Sequence, residues 1–255
     1  MNIRSVFAQV LAVAAFCALA AESAWAGPEA ARLLDGFASV KTLSCEMRRD
    51  KPLPGGGTVR MLSRVLYEAP NRINSENVTP VARRTVCDGE RLWQHVDELE
   101  TGFSRPVAEL PDEMRDNLGM LPGSNANLLW TLRDAAEEPL DPEDGIRRVG
   151  HALENAYAIL GFDDEGRWVL YEVRTPDREG PSLLKARYSD FQELAPGVWL
   201  ACRQESVLHV QGVRATESLR ITRVRANDPI PAASFDGEAF FPGVRFVSDF
   251  GESMR

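Results

Sequence analysis

Histidine and cysteine are scarce in this chain, at three and four among 255 residues. His95, His151 and His209 each stand alone, with no second ligand at metal spacing and no H-E-x-x-H, so a metal centre is not expected. Cysteine spacing fits no zinc motif either. The G-x-S-x-G turn of a serine nucleophile is missing, and so is a glycine-rich phosphate loop. Gly55-Gly56-Gly57 lies between two strand patterns and reads as a turn. Carboxylate pairs such as Asp163-Asp164 and Glu143-Asp144 sit in turn-like segments, whereas a glycosidase needs two carboxyls facing one cleft. These absences imply a protein without cofactor, metal or catalytic residues, not an enzyme. Basic charge is also short. The net charge is −9, which argues against nucleic acid and anionic membrane surfaces as partners.

Long apolar runs are confined to the N-terminus. Met1 to Arg4 is short and basic, Ser5 to Ala21 is apolar, and Ala24-Trp25-Ala26 is a small-x-small box. That order reads as a secretory signal over 1–26, cleaved before Gly27. Glu22 and Ser23 end the apolar run near the lower limit for a membrane span. The remaining 27–255 suffices for one domain with a sizeable core. It retains Cys45, Cys87 and Cys202. In an oxidising compartment these make one disulfide and one thiol, or three small buried residues.

The mature chain opens with a helix. Pro28 suits a first helical position, and Ala30, Leu33, Leu34 and Phe37 form one apolar stripe. The period then changes to two. Leu43, Cys45 and Met47 alternate with Ser44, Glu46 and Arg48. Val59, Met61, Val65 and Tyr67 oppose Arg60 and Arg64. Both are half-buried strands with one wet face. A short strand around Ile73 follows, then a hairpin over Thr85–Val96 turning at Asp88-Gly89. The spacing predicts helices over 111–120 and 125–135, the second with Leu128, Leu129 and Leu132 on one face. An acidic, Pro-containing loop is expected over 137–145. Strands return at 157–162, 167–174, 184–188, 198–210 and 213–222, and a Phe- and Pro-rich tail from Pro229 to Phe250 straps across the sheet.

The expected architecture is mainly β, of α+β class: a curved antiparallel sheet of about ten strands, curling into an incomplete β-barrel. The N-terminal helix and the 111–135 insert cover its apolar face. Trp93, Trp130, Trp168 and Trp199 are then either ordinary core or the lining of an apolar cavity between sheet and helical lid.

Several local sequences resemble the LolA-like periplasmic lipoprotein carriers and their superfamily, which includes LolB and RseB. They are the opening helix Ala31-Arg32-Leu33-Leu34-Asp35-Gly36-Phe37 with its continuation to Leu43, the strand break Ala69-Pro70-Asn71-Arg72, the hairpin Val86-Cys87-Asp88-Gly89-Glu90-Arg91-Leu92-Trp93, and the closing Phe240-Phe241-Pro242-Gly243-Val244. Carriers have Arg just before the Pro-Asn pair; here that residue is Ala69. The resemblance implies an incomplete barrel with a helical lid and a hydrophobic cavity for lipid or lipoprotein acyl chains. It also implies a periplasmic, monomeric carrier in outer-membrane lipoprotein sorting, served by inner-membrane release machinery and an outer-membrane acceptor. The alternative within the same fold is an RseB-like sensor or protein-interaction module. Alternation nominates Met47, Met61, Val65, Ile73, Leu184, Tyr188, Leu219 and Ile221 as cavity residues on the sheet, with Leu129 and Trp130 on the lid.

Overall fold

The structure is a computed structural model describing residues 28–53, 56–178, 180–210 and 213–249. The expected signal segment 1–26 lies outside the described residues. In chain order the elements are α1 (Pro28–Ser39), β1 (Thr42–Pro52), β2 (Thr58–Glu68), β3 (Arg72–Thr79), β4 (Arg83–Cys87), β5 (Arg91–Val96) and β6 (Thr101–Pro106). A 3-10 turn (Val107–Glu109), α2 (Asp112–Gly119) and α3 (Ala126–Trp130) form the insert. Then come β7 (Glu137–Glu143), β8 (Ile146–Ala152), β9 (Tyr157–Phe162), β10 (Trp168–Arg174), β11 (Leu184–Ala195), β12 (Val198–Val210) and β13 (Val213–Ala226). A second 3-10 turn (Ala232–Phe235), α4 (Gly237–Phe240) and β14 (Arg245–Val247) end the chain. The fold is mainly β, of α+β class. Among the described residues the strand order runs from β14 to β7 without returning on itself, so the sheet is not closed into a barrel.

The chain divides into two compact units. Of the described residues, the larger takes those within 35–126, 188–206 and 215–249, and the smaller takes those within 28–34, 127–187 and 207–214.

In the larger unit, β6 to β1 form an antiparallel meander, and β13 continues the order beyond β1. The two faces of this meander differ in chemistry. On one face Glu46, Arg64, Glu76 and Arg84 stand directly opposite one another on β1 to β4. Glu76 accepts from Arg64 at 3.2 Å and from Arg84 at 2.6 Å, and Glu46 accepts from Arg223 at 2.8 Å. Opposite charges in cross-strand register suit a solvated sheet face. Farther along, the C-terminal tail straps the same face. Asn74 donates to the Ser234 carbonyl at 2.8 Å, and Arg72 and Arg84 stack on Phe235 and Phe240. Val86, Trp93 and Phe241 form a buried cluster there with Phe240, Val244 and Phe246 packed on it. A Cβ at Gly237 would lie 2.2 Å from the Trp93 ring, so only glycine lets α4 come this close.

The smaller unit is drier. All six residues of β9 are buried, and its partners β8 and β10 flank it antiparallel. Glu29 of α1 donates its N–H to Glu137 at 3.1 Å and binds Arg147 at 2.6 Å, and Arg147 lies 4.7 Å from the Phe162 ring centroid. His151 is fully buried on β8, with Nε2 4.0 Å from Glu137. Burial pushes its pKa down.

Two local readings are corrected. The 137–145 segment is not a loop. Its first seven residues pair with β8, from Glu137 opposite His151 to Glu143 opposite Ile146. Pro139 has no N–H, and β7, which pairs with β8 alone, leaves one edge where none is needed. The expected helix over 125–135 is helical only through Ala126–Trp130, then continues as turns. Among the described residues the sheet has fourteen strands, with β6, β7, β8 and β14 added to the expected set.

Candidate functional site: the insert-covered sheet face

Opposite the charged ladder, the larger unit presents a second face, ordered in cross-strand rows. Leu43, Tyr67, Ile73, Cys87 and Leu92 stand opposite one another on β1 to β5. One step toward the β1–β2 turn the row is Cys45, Val65, Ser75, Thr85 and Gln94. The next is Met47, Ser63, Asn77 and Arg83. Beyond it Arg49 faces Met61. On β13, Ile221 lies opposite Met47 and Leu219 opposite Arg49. Cross-strand neighbours of this kind sit about 5 Å apart. The first row is therefore apolar, and the β13–β1–β2 side stays largely apolar as far as Arg49, which pairs with Glu217 at 3.3 Å, whereas the β3–β5 side turns polar along the strands.

The insert covers the apolar part. Val107 and Leu110 are buried with Cys87, Leu92 and Phe103, and Ile73 and Leu118 pack against them. Gly123 reaches the β13–β1 side, where an added Cβ would lie 2.6 Å from Ile221 Cδ1 and 3.1 Å from Met47 Cε. Its φ of +80° also favours glycine. Yet α2 itself contributes no buried residue, and Met114 is 37% exposed.

Hydrogen bonds tie the insert down. Tyr67 donates its hydroxyl to the Gly119 carbonyl at 3.1 Å. Gln204, buried on β12, donates from Nε2 to the Gly123 carbonyl at 2.7 Å, and its Oε1 accepts from Asn125 Nδ2 at 2.8 Å. Asn125 adopts a positive φ of 56°, which asparagine tolerates better than most residues. Ser124 donates to the Leu121 carbonyl at 2.7 Å and accepts from the Ala126 N–H at 3.2 Å. Ala69 has no side chain able to take part. Sequence reading missed Gln204 and Asn125 as anchors. The available signal was an amide in a long alternating strand and an Asn directly after Gly123-Ser124.

The site offers little reactive chemistry. Cys45, Cys87 and Cys202 are all free thiols. Burial pushes the Cys45 pKa up to about 12, with the neighbouring Cys202 thiol adding to it, and Cys87 to about 11. Such thiols stay protonated and are poor nucleophiles. Among the described residues no group of three or more His, Cys, Asp or Glu is placed to hold a metal ion.

Of the residues nominated from sequence, Met47, Met61, Val65, Ile73, Leu219 and Ile221 share this face. Val65, Leu219 and Ile221 are buried, while Met47, Met61 and Ile73 are half-buried. Tyr188 is buried on β11 of the same unit. The other three belong to the smaller unit. Leu184 pairs with Val173, Leu129 is fully buried, and Trp130 is 43% exposed with Arg133 stacked 4.0 Å from its ring.

Comparison with known proteins places the fold. No family model matches the sequence, and no curated protein matches it. Solved structures do. A LolA superfamily protein from Nitrosomonas europaea superposes with a TM-score of 0.51 at 12% identity, covering 86% of this chain and 100% of the other. A domain described as an outer membrane lipoprotein-sorting protein, from Vibrio parahaemolyticus, matches with the same TM-score and identity over 84% of this chain and 97% of its own. A DUF1329 family protein from Desulfovibrio piger also scores 0.51 at 12% identity, over 84% and 96%. The chain thus has a LolA-like fold.

Proposed function

We propose that the protein is a periplasmic binder of hydrophobic ligands, holding lipid or lipoprotein acyl chains on the insert-covered face of the larger unit. The carrying observation is the mismatch between that face and its cover. Six apolar residues from four strands are gathered there, and α2 in the insert buries none of its own residues. A helix that buries none of its side chains is displaced more cheaply than one seated by apolar packing. The surface it guards gains about 0.8 kcal/mol for each methylene it takes from water, so an acyl chain binds without any catalytic group. The LolA-like fold and the signal-like N-terminus support export and a part in lipoprotein sorting, with chains received from an inner-membrane machine and passed to an outer-membrane acceptor.

Native mass spectrometry of protein purified gently from a periplasm, with its organic extract analysed in parallel, tests this. Bound acyl lipid or acylated peptide near one-to-one is expected. Val65→Glu and the half-buried Met61→Glu are expected to lose it while keeping the wild-type circular dichroism spectrum. An empty protein that also fails to bind an apolar fluorophore would overturn the reading.

A further inference from the structure

The same face carries a feature that acyl chains do not require. Resting on the ligand-binding reading above, we propose that its polar side is a head-group ledge, and that the ligand is a single-headed amphiphile with an anionic head, recognised by Arg83.

The ledge is built. Asn77 bridges two strands when its amide is turned so that the nitrogen faces Ser63 and the oxygen faces Arg83: the nitrogen then donates to Ser63 Oγ at 2.7 Å, and the oxygen accepts from Arg83 Nη2 at 2.8 Å and Nε at 3.2 Å, an orientation that satisfies both ends of the amide. Ser63, Asn77 and Arg83 are direct register partners on β2, β3 and β4. A guanidinium has five N–H donors, so with two of them on Asn77 the group is fixed in orientation and keeps three to offer. Ser75, Thr85 and Gln94 form the adjoining row, all half-buried and all polar, next to buried Val65. One step from Ser63 along β2 is half-buried Met61. Polar side chains therefore adjoin apolar ones on one face.

Charge decides the sign of the head. Arg84, the next residue, lies on the opposite face and is matched by Glu76 at 2.6 Å. Arg64 beside it binds the same carboxylate. Arg83, by contrast, is exposed and pairs with no carboxylate among the described residues. On a chain with net charge −9, a cation held in place by an amide but left without a counter-charge is suited to a phosphate or carboxylate supplied by the ligand. Ser75, Thr85 and Gln94 supply neutral donors and acceptors for the ester or amide groups that join such a head to its chain.

The experiment is displacement of N-phenyl-naphthylamine from the protein by three probes with the same chain, each below its micelle concentration: dodecyl phosphate, dodecyl maltoside and dodecyltrimethylammonium. Dodecyl phosphate is expected to displace at roughly tenfold lower concentration than the maltoside, as one charge-assisted contact allows, with the cationic probe weakest. Arg83→Gln should remove the preference and leave the maltoside unchanged. Arg64→Gln on the opposite face should keep it, which separates local recognition from overall charge. Equal affinity for all three probes, or equal losses for phosphate and maltoside in Arg83→Gln, would overturn the ledge and leave the acyl-chain reading standing. If neither the fluorophore nor any probe binds, both readings fall together.

Discussion

Two strands show how differently the two units use the same sheet geometry. In β9 every residue from Tyr157 to Phe162 is buried, whereas in β2 exposed Thr58, Arg60, Leu62 and Arg64 alternate with more protected neighbours. A strand dry on both faces belongs to a core and has little freedom to change partners. A strand with one charged face and one apolar face under a light cover can exchange what lies on the apolar side and keep its register. The comparison sets a strand buried on both faces in the smaller unit against a strand buried on one face in the larger, the face on which the proposed function places exchange.

Breaking the dry strand should have the largest effect. Phe162→Ala removes a fully buried ring that Arg32 and Arg147 approach to 5.7 and 4.7 Å. It is expected to cost about 3–5 kcal/mol, read from the urea midpoint. A cost below about 1 kcal/mol would show that β9 is not core in this sense.

The strap is next. Gly237→Ala forces a methyl into the Trp93 ring. A loss of about 1–3 kcal/mol is expected, with a change in tryptophan fluorescence and no change in ligand-face mutants. Then comes the cover itself. Gln204→Ala removes the donor to Gly123 and the acceptor for Asn125. About 1–2 kcal/mol should be lost, and hydrogen exchange should quicken at 119–126 while β9 stays protected. Uniform quickening would contradict a separately tethered cover.

A pH scan sharpens the contrast. His151 has its pKa pushed below the ordinary 6.5 by burial. The folded state then binds fewer protons than the unfolded state between the two values. The stabilising contribution is complete above about 6.5 and shrinks as pH falls toward the folded value. His151→Leu should flatten that acid-side decline, and an unchanged slope would assign it to other groups. The smallest effect is expected on the wet face. Glu76→Gln should cost about 0.2–1 kcal/mol and vanish in high salt, since its partners remain solvated.

Much of this was legible in the chain. Alternation in β1, β2 and β13 assigned the apolar and charged faces, because a period of two admits only two arrangements. Pro28 and the spacing of Ala30 and Phe37 marked α1, and Asp88-Gly89 marked the β4–β5 turn. The segment over 137–145 was not legible. Its Pro and acidic residues are turn-like locally, and only β8 makes it a strand. Nor did sequence show that Trp130 faces solvent while Leu129 beside it is fully buried, since a five-residue helix is too short to carry a readable stripe.

The sequence by itself determined the strand-rich class, the polarity of each strand face and the absence of catalytic motifs, because these depend on residue type and local period. Tertiary structure alone decided that Tyr67 and Gln204 anchor the insert, that Gly237 meets Trp93, and that Ser63, Asn77 and Arg83 join in one row. The reason is physical. Hydrogen bonds and close contacts between strands, from neighbouring ones to those more than a hundred positions apart, depend on register, and register is set by the whole sheet.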